Sequence, residues 1–104
     1  MDITQAKKLI HKEFNAQNGL DVLFRMSADI EEERITEFLE ALKCIEEYYA
    51  DKKTIEKKLV YQLFSMHQTL KASMGHWKVS RPEGLDKDTC WKIFDGIRSV
   101  FSRL

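Results

Sequence analysis

Apolar residues recur along this chain with a helical period in four places, and alternate with a strand period in only one. The first helix is predicted over Ile3 to Gln17. There Ile3, Ala6, Ile10 and Phe14 share one face with Leu9 at its edge, and Asp2 and Gln5 make a capping-box pair. Asn18-Gly19 then reads as a left-handed stop. A second long helix is predicted over Ile30 to Ala50. Its stripe is Ile35, Phe38, Leu39, Leu42, Ile45 and Tyr49, Asp29 and Glu32 form a second capping pair, and Glu31, Glu32 and Glu33 fill the first turn. A third runs from Ile55 to Met74, capped by Thr54 and ended by Gly75. Ile55, Leu59, Leu63, Met66, Leu70 and Met74 line its face, and Val60, Phe64 and His67 widen it. The last spans Lys87 to Arg103 behind an Asp86 cap, with Leu85 and Cys90 as a hydrophobic staple and a stripe of Cys90, Ile93, Phe94, Ile97, Val100, Phe101 and Leu104.

Between the first two helices, Leu20, Val22, Phe24 and Met26 alternate as in a strand, while Leu20, Leu23 and Phe24 also fit one helical turn. A lone strand has no partner elsewhere in the chain, so this stretch is assigned as a short helix or an extended connector. The expected fold is therefore all-α: one domain over 1–104, a helical bundle of four main helices plus one short element. The brief link at 51–54 predicts that 30–50 and 55–74 pack as an antiparallel hairpin. With 104 residues, only 4 Gly and 1 Pro, the chain lacks the frequent turns of a β-sandwich. Gly96 costs about 1 kcal/mol against Ala inside a helix, and its place beside the stripe suggests a close helix contact.

Net charge is zero, but the charges are segregated. Residues 21–56 carry 5 basic and 11 acidic side chains, and residues 57–104 carry 9 basic and 4 acidic. That pattern predicts a dipole with an acidic middle and a basic C-terminal half. At about 100° per residue, Glu33, Glu37, Glu40, Cys44, Glu47 and Asp51 fall in a sector of roughly 80° opposite the apolar stripe. Like charges at i,i+4, such as Glu33 with Glu37 and Glu47 with Asp51, cost a few tenths of a kcal/mol each. A stripe left unneutralised suggests a cationic partner; a plain solvated face is the alternative reading. Lys57 and Lys58 are the nearest sequence candidates for internal neutralisation.

A second candidate surface is the loop His76 to Pro82 joined to the last helix. Trp77, Lys78, Arg81, Trp91 and Arg98 together would make an aromatic, cationic patch able to stack bases or grip an acidic partner. Two cysteines, Cys44 and Cys90, form neither a disulfide framework nor a CxxC metal site, and His11, His67 and His76 lack metal-ligand spacing. No cofactor or metal is expected. No phosphate-binding loop or nucleophile elbow is present. The first residues hold no long apolar stretch and the longest apolar runs reach three residues, as at Val22 to Phe24, so a cytoplasmic protein with reduced thiols and no membrane association is expected.

The segment His67-Gln68-Thr69-Leu70-Lys71-Ala72 resembles the helix motif of histidine phosphotransfer domains, which are also small bundles. The family pattern is His, any residue, Leu, Lys; here Leu70 and Lys71 each stand one position later. The resemblance implies phosphotransfer through His67. The leading expectation from charge and size is different: a non-catalytic protein-binding module, a small inhibitor or immunity-type protein that neutralises a basic toxin or nuclease through Glu33, Glu37, Glu40, Glu47 and Asp51. A nucleic-acid-associated regulatory module using the basic half is the alternative.

Overall fold

A computed structural model describes residues 1–77 and 81–102. It is an all-α bundle, with helices α1 (Ile3–Asn15), α2 (Leu20–Met26), α3 (Glu32–Tyr49), α4 (Lys57–Met74) and α5 (Lys87–Ser102), and no strand among the described residues. The ambiguous stretch after Gly19 is the short helix α2. Predicted residues 78–80 and 103–104, including Lys78 and the end of the last apolar stripe at Leu104, lie outside the described residues.

The core is one cluster to which every helix contributes: Ala6 and Ile10 from α1, Leu20 and Phe24 from α2, Phe38, Leu42 and Ile45 from α3, Leu63, Met66 and Leu70 from α4, and Cys90, Ile93 and Val100 from α5. The predicted stripes therefore supply most of it. Phe94 is half-buried rather than enclosed, and Phe64 stands 59% exposed. Both lie at the flank of their helices, where the surface between α4 and α5 is left open.

The hairpin expected of 30–50 and 55–74 is corrected. α3 and α4 run antiparallel, but their backbones do not pack on each other. α4 starts at Lys57, so the link is longer than the sequence implied, and α1 and α5 each touch both helices and separate them. α1 and α2 form a bent rod along α4. His11 meets Gln62 at 3.0 Å, Phe14 stacks edge-on to Tyr61, and the Ser73 hydroxyl donates to the Phe24 carbonyl. α5 follows α3 in the same direction: Gly96 lies against Leu42, where a Cβ would come within 2.9 Å of Leu42 Cδ1. The missing Cβ thus allows the close approach that its sequence position suggested.

Three caps differ from expectation. Gly19 has φ −71° and begins α2, so it is no left-handed stop. Glycine is needed there because a Cβ would sit 2.4 Å from the Glu13 carbonyl oxygen. Asp29 does not cap α3, whose N-cap is Glu31; its carboxylate accepts from the Glu83 amide at 2.7 Å, while the Ile30 amide donates to the Glu83 carbonyl at 2.9 Å. Gly84, at φ +85° and with its Cβ position 2.1 Å from the Ile30 oxygen, completes this clasp between the starts of α3 and α5. Thr54 is exposed, and Glu56 stands at the α4 N-cap without a side-chain cap bond. The capping box of Asp2 with Gln5 and the Asp86 cap, which accepts from the Thr89 amide at 2.7 Å, form as read from the sequence.

Leu42 and Leu63 are buried in the shared core, on α3 and α4, whose backbones do not pack on each other. Replacing either by Ala is expected to cost about 2–5 kcal/mol in urea unfolding, because the surrounding helices cannot close the void. A loss below about 1 kcal/mol at both sites would contradict the packing.

Candidate functional site

The acidic stripe sits on α3. Its first turn begins at Glu32, so the unpaired backbone amides there face Glu32 and Glu33, an arrangement the helix dipole favours. Glu31, Glu32, Glu33, Thr36 and Glu37 line an open concavity of about 700 Å³. Glu33, Glu37, Glu40 and Glu47 are all exposed, and none of them forms an ion pair among the described residues. Lys57 and Lys58 do not neutralise them, because α4 lies across the bundle from α3 rather than beside it.

The stripe is not continuous. Cys44, at its centre, is half-buried under the start of the chain, with its thiol donating to the Met1 carbonyl at 3.4 Å. Beyond this point the surroundings turn basic. Asp51 lies past the end of α3 and pairs with Lys52 at 3.1 Å, which holds its carboxyl below the usual range. Lys52 lies 4.7 Å from the Tyr48 ring centroid, and Lys7, bonded to Glu56, lies 5.5 and 5.4 Å from the Tyr48 and Tyr49 rings. Glu33, Glu37 and Glu40 are therefore the uninterrupted part of the acidic face.

The aromatic, cationic patch is divided by the fold. Trp77 is half-buried and donates its indole N–H to the Ser27 hydroxyl at 2.8 Å, fastening the end of α4 to the turn after α2. Ser27 makes this turn at φ 54°, a left-handed residue that the sequence did not announce. Arg81 is exposed in the loop before α5, and Lys78 lies outside the described residues. Trp91 and Arg98 instead line a groove of about 570 Å³ between α4 and α5, whose other apolar walls include Phe64, Met74, Phe94 and Phe101. Trp91 is 56% exposed and meets Phe94 edge-on at 6.2 Å. Sequence reasoning put Phe94 in the apolar stripe of the last helix and let Phe64 widen that of the third. Their flank positions at the edge of each apolar stripe were the available signal.

His67 is in this groove, with its ring 4.6 Å from that of Phe94. Burial, and secondarily the Lys71 charge, push its pKa below the usual value. Cys90 is fully buried beside the Leu85 carbonyl, and burial followed by the Asp86 charge pushes its thiol up to about 11, which keeps it protonated and unreactive near neutral pH. Among the described residues, no cluster of three or more His, Cys, Asp or Glu is placed to hold a metal ion. No helix is long and apolar enough to cross a membrane. Comparison with family models, curated proteins and solved structures returns no match for this chain.

The lowered pKa of His67 has a sign. The unfolded chain takes up a proton near pH 6.5 while the folded chain does not, so folding stability is lost as pH falls below 6.5 toward the folded value. Melting temperature is expected to drop between about pH 7.5 and pH 5.5, and His67→Gln is expected to reduce that drop. An identical drop in the variant would show that the imidazole is not desolvated as described.

Proposed function

We propose that this chain is a non-catalytic protein-binding module of the reducing cytoplasm that engages a cationic partner through the exposed face of α3. The reading is that of a small inhibitor or immunity-type protein acting on a basic toxin or nuclease. One observation carries it: Glu33, Glu37 and Glu40 stand exposed on one helix face and form no ion pair among the described residues. Carboxylates spaced by three and four residues repel one another, and a cationic partner relieves that repulsion. The same field reaches beyond contact distance, so it accelerates encounter before any contact forms.

Replacing Glu37 and Glu40 together by Lys tests this. The wild-type chain, used as bait in extracts of its source, is expected to retain a basic protein that the Glu37→Lys/Glu40→Lys variant loses. With that protein purified, the variant is expected to associate more than about tenfold slower at low salt, and the difference shrinks as salt rises. Melting temperature should stay close to wild type, since exposed charges contribute within about 0.5 kcal/mol. Equal association rates for both chains at low salt would refute the acidic face as the binding surface.

A further inference from the structure

The groove between α4 and α5 shares no lining residue with the concavity of the α3 carboxylates. We propose that it is a second docking surface, built to receive an amphipathic helix of a partner protein whose polar flanks are acidic. The shape argues for a helix. Phe64 on α4 and Trp91 on α5 form opposite walls, 59% and 56% exposed, above half-buried Phe94, Phe101 and Met74. The contact of His67 with Phe94 sets the two helices side by side, and their polar residues on the groove recur at one-turn spacing: Gln68 and Lys71 on α4, Asp95 and Arg98 on α5. An open trough with an apolar floor along two helices accepts the anchor residues of a third helix at i, i+3 or i+4, and i+7. Two large aromatic side chains left in water beside such a floor mark an interaction surface rather than scattered exposure.

The charge argues for acidic flanks. α4 carries Lys57, Lys58 and Lys71 and no carboxylate. On the groove itself, Asp95 is occupied by Arg98 at 3.4 Å, and Lys71 has no ion pair among the described residues. His67 is held toward its neutral form by burial. Asp95 and Arg98 offset each other, so the charge left to recognise a partner is that of Lys71, and it is positive. A second copy of this chain fits poorly. A two-fold pairing of grooves brings together two surfaces of the same net positive charge. Inserting α3 instead brings glutamates, and the one large apolar residue on its exposed face is Tyr48.

The test uses the full chain and two synthetic amphipathic helices of four turns. Both carry leucine at the anchor positions; one has glutamate on its flanks and the other lysine. Binding is read from the Trp91 indole resonance and by titration calorimetry. The glutamate helix is expected to bind at least about tenfold tighter than the lysine helix. Phe64→Ala, and separately Trp91→Ala, are expected to weaken it about tenfold or more without changing the melting temperature, because both side chains are exposed. Lys71→Glu with Arg98→Glu is expected to reverse the preference between the two helices. The proposal is overturned if neither helix binds at about 1 mM, or if the lysine helix binds equally or better. It is also overturned if self-association of the chain excludes the glutamate helix, or if a single-stranded oligonucleotide displaces it.

Discussion

The buried carboxylate of Glu13 holds the bundle in its observed arrangement. It lies at the end of α1, only 8% of its side chain is exposed, and it accepts from the Arg34 guanidinium at 2.5 Å and from the Leu20 amide at 3.3 Å. One group thus ties α1 to α3 and sets the bend into α2, while Arg34 also donates to the Asn18 carbonyl at 3.0 Å. A carboxylate in such a place is tolerated only when its partners are in position, so the pair specifies where α1 must lie more than it adds stability. Gly19 makes the same bend obligatory from the steric side, since any Cβ there would collide with the Glu13 backbone.

Placing α1 on α3 has a consequence for the surface. Because α1 also packs on α4, it occupies the position beside α3 that a simple hairpin would give to α4. α3 carries six glutamates and α4 three lysines, and the backbones of the two helices do not pack on each other. Glu33, Glu37 and Glu40 on α3 and Lys71 on α4 accordingly form no ion pair among the described residues. The two proposed surfaces follow from this one arrangement: carboxylates on α3, and a basic-rimmed aromatic groove where α4 meets α5. The clasp of Asp29, Ile30, Glu83 and Gly84 completes it by seating the start of α5 beside the start of α3, so that α5 closes the other side.

The fold class was legible in the sequence because the apolar period is helical in every long segment, and burial follows that period wherever a residue sits at the centre of its stripe. Leu42, Ile45, Leu63 and Leu70 are enclosed for this reason. Residues at a stripe's edge were not legible: Phe64 and Phe94 have the same chemistry as core residues, and only the neighbouring helix decides whether they are covered. The order of helices around the bundle was also hidden. It depends on Glu13, which in sequence is one more charged residue on a helix, and whose partner Arg34 lies 21 positions away. The caps failed where a long-range hydrogen bond outcompeted a local one, as when Asp29 met the Glu83 amide. Of the acidic stripe, exposure was legible at Glu33, Glu37, Glu40 and Glu47. The interruption at Cys44 was not, because it comes from the far end of the chain.

The separation of the acidic face from the aromatic groove is tested most directly by titrating the isotopically labelled chain with a short lysine-rich peptide at low salt. The account predicts amide shifts confined to the exposed face of α3 around Glu33, Glu37 and Glu40, with the Trp91 indole unmoved. Shifts centred on α4 and α5, or moving Trp91 together with Glu37, would contradict it.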